Sequence, residues 1–317
     1  MISRREALAL LAAPALTRPA RAWRFGYGGS PPPSGTFTIT PVFDSSWTTA
    51  NPGAVYNTVI QNVASLVGSW ISGSGTMNWH IGYNEAAGNP VTVGALTVNT
   101  WGGSTYTYSS AVSFLQALPT DSIKASAYAA LPGTNPLPAS PSIAHNTLFM
   151  TNCFAAAVSN TASAVDPTTG FGFSGIAWDT TADGTSCAGG TVSLFATAWH
   201  ELTEALGRLS GLNGAAGSTS WYSFMDLFTY SASGTRNIST TGTRYLSADN
   251  GVTDMSDMNQ GTGDQGDTTN SSPYNANVIV GFAPMATTTQ PVRQQDVKTL
   301  SIIGLPLSAA GKTAAGI

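Results

Sequence analysis

The sequence is short of charged residues, and this shortage excludes several classes of function. Only 9% of the 317 residues are charged, three are histidines, and the formal net charge is −4. So few basic side chains, within an acidic excess, argue against partners such as nucleic acid or an anionic membrane surface. No apolar run is long enough to cross a bilayer as a helix, so we expect no membrane span.

The N-terminus has the three parts of an export signal in the right order. Arg4 and Arg5 follow a serine, an apolar run extends from Ala7 to Leu16, and a small-x-small cleavage site ends at Ala22. The paired arginines favour the twin-arginine route, so residues 1–22 are expected to be a signal peptide and the protein to be secreted or periplasmic. The alternative is a basic amphipathic helix of the folded domain. Removing the signal would change the formal charge from −4 to −7.

Abundant glycine, serine, threonine and alanine favour short strands and turns over long surface helices. We expect a Gly/Pro-rich linker at 23–36, an N-terminal subdomain at 37–211 and a C-terminal subdomain at 212–317. Apolar spacing predicts strands at 37–43, 77–83 and 170–178, and helices at 52–70, 108–118, 122–131, 191–209 and 294–303. The last of these helices is expected to pack under the helix at 191–209.

The chain has only two cysteines, Cys153 and Cys187. In an oxidising compartment a single pair is most simply a disulfide, so we predict a bond between them. Metal ligation is the alternative, although neither cysteine has another cysteine or a histidine nearby.

Three chemically active residues lie within one turn of the strongest predicted helix. His200 and Glu204 are four residues apart, so their side chains leave the same helix face and can reach one zinc ion. Glu201 is the next residue after His200, the place that the general base takes in a His-Glu-x-x-His helix. The alternative is structural: a core histidine, two solvated glutamates, and a Glu204–Arg208 pair. The remaining residues of the helix are mostly apolar, and buried carboxylates need a neutralising partner, which favours a metal.

The segment His200–Arg208 resembles the active-site helix of a family of secreted bacterial zinc metallopeptidases with the motif His-Glu-x-x-Glu-x-x-Gly-Arg. Further matching stretches follow in the family's order: Phe43–Ser46, Ile81–Glu85, Tyr106–Tyr108, Leu131–Pro132, Asp226–Tyr230, Tyr245–Asp249 with Gly251, Gly263–Asp267 and Asp296–Gly304. The resemblance implies an α+β, zincin-like fold, distantly similar to metzincins. In that fold a twisted mixed sheet packs on helices and an irregular C-terminal subdomain follows.

One departure from metzincins concerns the third metal ligand. Metzincins have a third histidine after the helix, but the equivalent position here is Ser210 and no histidine follows His200. A carboxylate, a tyrosine or no third residue remains. We select Asp226, since the chain can return to the helix over that distance, with a turn or cap role as the alternative. One imidazole with two carboxylates predicts Zn²⁺ but leaves other divalent cations open.

A second cluster of oxygen ligands lies in an aspartate-rich loop. Its members are separated by glycine and asparagine, and they are Asp249, Asp254, Asp257, Asp264 and Asp267. Hard oxygen ligands on turns suit Ca²⁺, although the spacing is not that of an EF-hand. A set of Asx-turns is the alternative.

Together these features predict a secreted zinc metallopeptidase in which Glu201 takes a proton from a metal-activated water. Tyr230 is a candidate to assist the oxyanion, and Arg208 to orient a substrate carboxylate or stabilise the helix end. The expected substrate is a protein or peptide, and the expected oligomeric state is a monomer. Two alternatives stay open: an inactive, zincin-like binding or surface protein, and a metal hydrolase acting on glycans or esters.

Overall fold

The computed structural model describes residues 35–139, 143–184, 187–188, 190–212, 220–260, 265–267 and 292–317, with the backbone alone at 143–146 and 220. The predicted signal peptide and nearly all of the predicted linker lie outside these ranges. The described residues form a mixed α/β structure with eight α-helices, one 3-10 helix and five sheets. In this part of the chain, no helix combines the length and apolar character that crossing a membrane requires.

The helices are α1 (Ser45–Ala50), α2 (Ala54–Trp70), α3 (Tyr108–Ala117), α4 (Ser122–Ala129), α5 (Asn152–Ser159), α6 (Leu194–Ala205), α7 (Gln294–Ile303) and α8 (Ala309–Ala315), with a 3-10 helix at Met225–Phe228. The strands are β1 (Thr38–Phe43), β2 (Thr76–Tyr83), β3 (Glu85–Ala86), β4 (Asn89–Pro90), β5 (Thr97–Thr100), β6 (Gly103–Thr107), β7 (Ile143–Thr151), β8 (Thr168–Phe171), β9 (Trp178–Asp179), β10 (Val192–Ser193), β11 (Ser220–Ser223), β12 (Thr229–Ala232), β13 (Thr235–Arg236), β14 (Tyr245–Leu246) and β15 (Ser256–Asp257).

The sheet that positions the candidate site has the order β1-β2-β8-β5. Its first three strands are parallel, whereas the edge strand β5 runs antiparallel to β8. The crossover between β1 and β2 contains α2, the kind of helical connection that parallel strands need. The apolar face of α2, with Val59, Val63 and Val67 buried, packs against β1 and α6.

Two further sheets complete the scaffold. The first of these sheets has the order β11-β7-β6, and its central strand β7 is parallel to β11 and antiparallel to β6. The second sheet has the order β13-β12-β14-β15, and all of its neighbouring strands are antiparallel. The 3-10 helix lies between β11 and β12, so it joins these two sheets in the chain.

One hydrophobic cluster runs through both predicted subdomains, from Phe37 in the first to Leu307 in the second. The last long helix, α7, has the predicted bounds, but its main neighbours are α8, α4 and the 3-10 helix. The predicted packing of this helix under α6 was therefore wrong in its main partner, and the main neighbour of α6 is α2.

The predicted disulfide was also wrong, because Cys153 and Cys187 are both free thiols. Cys153 is buried on α5, where its Sγ lies 3.7 Å from Ser163 Oγ. Cys187 lies in the loop before β10, where its Sγ lies 3.5 Å from Thr191 Oγ1. The two sulfur atoms therefore lie in different parts of the fold and contact different hydroxyl groups. Burial raises the pKa of the Cys153 thiol to about 12, which makes a thiolate there scarce.

Candidate metal centre

The helix that carries the predicted site is buried along its whole length. Ser193 caps α6, since its Oγ accepts a hydrogen bond from Ala196 N, and all twelve residues from Leu194 to Ala205 are buried. The helix ends before Gly207, whose φ of 100° suits glycine. A helix surrounded by protein cannot leave His200, Glu201 and Glu204 to solvent, so each requires a partner.

His200 and Glu204 converge, and a third residue from far along the chain joins them. His200 Nε2 lies 3.1 Å from Glu204 Oε1 and 3.3 Å from Asp267 Oδ1. One ligand atom from each of these residues lies within 4.8 Å of the other two, and all three residues are buried. Among the described residues this is the one such group of three or more metal-ligating side chains.

Arg208 lies beside the two carboxylates of this group. Its guanidinium is 3.7 Å from both Glu204 Oε1 and Asp267 Oδ1. It also donates hydrogen bonds to Thr203 Oγ1, His200 O and Gly266 O, at 2.9, 3.2 and 3.1 Å. Arg208 therefore compensates part of the negative charge and connects the end of α6 to the chain that carries Asp267.

Glu201 is held by the edge strand β5. Thr97 Oγ1 donates a hydrogen bond of 2.5 Å to Glu201 Oε1, and Asn99 Nδ2 donates one of 3.0 Å to Glu201 O. Thr169 Oγ1 donates in turn to Asn99 Oδ1, and Trp79 Nε1 donates to Thr169 Oγ1. A buried chain of hydrogen bonds across the sheet thus fixes β5 against the site.

Burial and neighbouring charges shift the pKa values of two ionisable groups of the cluster, His200 and Glu204. Burial lowers the pKa of His200, and the charge of Arg208 lowers it further, which favours the neutral imidazole. Burial opposes ionisation of Glu204, but its pKa is lowered overall by the charge of the neighbouring His200, by the hydrogen bond between the two side chains and by the charge of Arg208. A neutral imidazole and an ionised carboxylate are the forms of these side chains that bind metal ions.

The distances and charges of the cluster fit a divalent cation. Tetrahedral zinc with nitrogen and oxygen ligands places neighbouring ligand atoms roughly 3.4 Å apart. The separations of 3.1 and 3.3 Å around His200 Nε2 are close to that value. The carboxylates of Glu204 and Asp267 lie beside the guanidinium of Arg208, and Glu201 lies on the same helix, so the three carboxylates and one guanidinium carry two formal negative charges. One divalent cation would balance them.

Asp226, the predicted third ligand, has a different set of partners. Its Oδ1 lies 2.9 Å from Arg244 Nη2 and accepts a hydrogen bond of 2.6 Å from Ser210 Oγ, while Ser223 donates to its Oδ2. Burial raises the pKa of Asp226, and Arg244 opposes this shift. Asp226 is therefore committed to a buried ion pair, and Asp267 supplies the carboxylate beside His200 and Glu204.

The predicted calcium loop does not form one site among the described residues. Asp249 accepts hydrogen bonds from the Ser247 hydroxyl and from the backbone N–H and hydroxyl of Thr253, so its carboxylate stabilises the local loop. Asp254 and Asp257 interact with each other, and Asp267 belongs to the group around His200. Asp264 lies outside the described residues.

Tyr230, the predicted oxyanion residue, lies on β12 and is buried. The guanidinium of Arg236 lies 4.7 Å from the centre of its ring. These contacts assign Tyr230 to the packing of the β12–β13 hairpin.

Three residues of the site carried no signal in the local sequence: Thr97, Asn99 and Arg244. Threonine and asparagine in a strand-forming region do not indicate contact with a helix about 100 positions later. Asp267 did carry a signal, since it ends the stretch Gly263–Asp267, one of those in which the chain resembles the metallopeptidase family.

No protein-family model, curated protein or solved structure was found to match this chain. The function is therefore inferred from the residues and geometry of the site.

Proposed function

We propose that this protein is a secreted, metal-dependent peptidase with His200, Glu204 and Asp267 as metal ligands and Glu201 as general base. The observation that carries the proposal is the buried group of three ligand atoms within 4.8 Å of one another, beside Glu201 on one helix. The mixed sheet packed on α2 and α6 supports it, because the resemblance to zincin-like peptidases implies such an arrangement.

In this proposal the residues of the chain divide the chemistry between them. A bound divalent cation supplies a Lewis acid that polarises a carbonyl group and lowers the pKa of water. Glu201 accepts the proton of the attacking water and passes it to the leaving amine. Thr97 holds the Glu201 carboxylate in place through its 2.5 Å hydrogen bond. Arg208 keeps two neighbouring carboxylates close together before the cation binds.

The proposed export would place this peptidase among proteins outside the cytoplasm. The proposed twin-arginine signal at 1–22 would deliver the chain in folded form, and such a route allows metal loading before export. An unstructured protein such as casein is the appropriate first substrate, because it presents many peptide bonds without requiring unfolding.

The test combines metal analysis of the purified protein with casein cleavage. Glu204→Gln and Asp267→Asn should weaken metal binding and activity together, because each removes one ligand and leaves two. Glu201→Gln should keep the metal but lower turnover by about 10²–10⁴, the usual contribution of a general base. Glu85→Gln is the matched control, since the Glu85 carboxylate bonds with Ser46 and Gly88 instead.

The outcomes separate the parts of the proposal. Wild-type protein that binds none of Zn²⁺, Mn²⁺, Co²⁺ and Ca²⁺ contradicts the metal centre. Wild-type protein that binds metal but cleaves no protein contradicts the peptidase activity and leaves a metal-binding protein.

One observation favours a second candidate function, a non-catalytic secreted binding protein on the same scaffold. Arg208 lies 3.7 Å from both Glu204 and Asp267, so the cluster has part of its charge compensated by the chain itself. A protein that stays fully folded and metal-free over a wide range of divalent cation concentrations would support this candidate.

A further inference from the structure

The carboxylate of Asp267 is held through the backbone of the residues before it. Arg244 Nη1 donates a hydrogen bond of 2.9 Å to Gln265 O, and Arg208 Nη1 donates one of 3.1 Å to Gly266 O. Asp267 O accepts a hydrogen bond of 2.7 Å from Asn259 N. Three consecutive carbonyl groups therefore have donors from three separate parts of the chain. Residues 265–267 belong to neither a helix nor a strand, so these hydrogen bonds help to hold them in position.

Arg244 is itself anchored by the residue predicted as the third ligand. Its Nη2 lies 2.9 Å from Asp226 Oδ1, and both side chains are fully buried. Asp226 is fixed in turn by Ser210, which follows α6, and by Ser223 on β11. The guanidinium thus spans from the Asp226 carboxylate to the Gln265 carbonyl, and a planar fork of donors suits such a connection.

We propose that Arg244, anchored by Asp226, is a positioning residue that fixes Asp267 as the third metal ligand. The inference rests on the proposed function, because it needs His200, Glu204 and Asp267 to bind a metal. A ligand held in place before binding pays less to be ordered when the cation arrives, so loss of the anchor lowers metal affinity. Arg244 acts through the backbone of Gln265 and makes no bond to the metal.

The experiment measures Co²⁺ affinity by competition with a chromogenic chelator, together with the Co²⁺ absorption spectrum. Arg244→Lys keeps the positive charge beside Asp226 but lacks the fork that reaches Gln265 O. Partners of metal ligands typically contribute 10–100-fold to affinity, so we expect a loss of about this size and a changed spectrum. Arg236→Lys is the matched control, because Arg236 bonds to Ala130 O and packs on Tyr230, and its affinity should equal that of wild type.

A double-mutant cycle separates positioning from a general structural role. In an Asp267→Asn background the third ligand is already lost, so Arg244→Lys should cause no further loss of affinity. If Arg244→Lys does not fold, as judged by circular dichroism, Asp226→Asn takes its place in the same cycle, because it weakens the anchor and keeps Arg244.

Unchanged affinity in the single variant overturns the inference, and so does an equal loss with and without Asp267. Wild-type protein without Co²⁺ affinity overturns the proposed function as well. Wild-type binding with an unaffected anchor variant overturns the positioning role alone.

Discussion

The buried side chain of Lys124 makes the stability of this protein depend on pH. Lys124 lies on α4 with 1% of its surface exposed, and its Nζ lies 3.5 Å from Pro119 O and 3.4 Å from Gly304 O. Burial lowers the pKa of its ammonium from 10.5 to about 8, although Asp121 opposes the shift. The unfolded chain therefore holds more protons than the folded chain between pH 8 and 10.5. Consequently, this residue makes the free energy of unfolding rise with pH across that window.

We expect Lys124→Met to remove this dependence. The shift corresponds to about 3.4 kcal/mol over the whole window, and about 1.4 kcal/mol of it falls between pH 7 and pH 9. Relative to wild type, the variant should therefore lose about 1.4 kcal/mol of stability as the pH rises from 7 to 9. Comparing the two proteins cancels the titration of all other groups.

Urea unfolding at pH 7, 8 and 9, followed by tryptophan fluorescence, measures the difference between the two proteins. Lys298→Met is the control for exchanging a lysine for a methionine, because Lys298 is half-buried on α7 and its charge is not among the causes of the Lys124 pKa shift. A stability difference between wild type and Lys124→Met that stays constant over these three pH values would refute the reasoning.

Two further predictions concern Thr97, which bonds to the proposed general base, and the thiols. Thr97→Val should lower kcat for casein by about tenfold or more with KM unchanged, because a hydrogen bond to a charged group contributes about 1.5–3 kcal/mol. Thr97→Ser keeps the hydroxyl and should retain activity. Equal kcat values in wild type and both variants would contradict the role of Thr97. A thiol reagent should find two free thiols in denatured, unreduced protein, with Cys187 reacting before the buried Cys153 in the folded protein; a titration that finds none would contradict the structure.

The helices were predictable where apolar residues recur at helical spacing. The predicted helix at 294–303 has the same bounds as α7, and α2 begins two residues after its predicted start. Helix α6 is shorter than predicted, because Ser193 caps it and Gly207 ends it. Strand β5 was missed because Thr97 and Asn99 are buried polar residues, so the strand lacks the apolar alternation that normally indicates one.

Two of the three candidate metal ligands were predictable from local spacing. The i, i+4 relation of His200 and Glu204 placed both on one helix face without knowledge of the fold. The third carboxylate depended on tertiary contacts that no local pattern encodes. Asp226 was selected on its distance along the chain, but it pairs with Arg244, whose guanidinium also donates a hydrogen bond to Gln265 O, two residues before Asp267.

In a chain this poor in charge, buried charge is concentrated at one place. Among the described residues, eight aspartate, glutamate, lysine and arginine side chains are buried. Six of these lie on α6 or close to it: Glu201, Glu204, Arg208, Asp226, Arg244 and Asp267. A buried ion pair seldom stabilises a fold more than apolar side chains of equal volume would, whereas removing one partner is strongly destabilising. Stability alone therefore does not account for this network. The proposed task accounts for it, since a divalent cation needs carboxylates that are held together against their own repulsion before it binds.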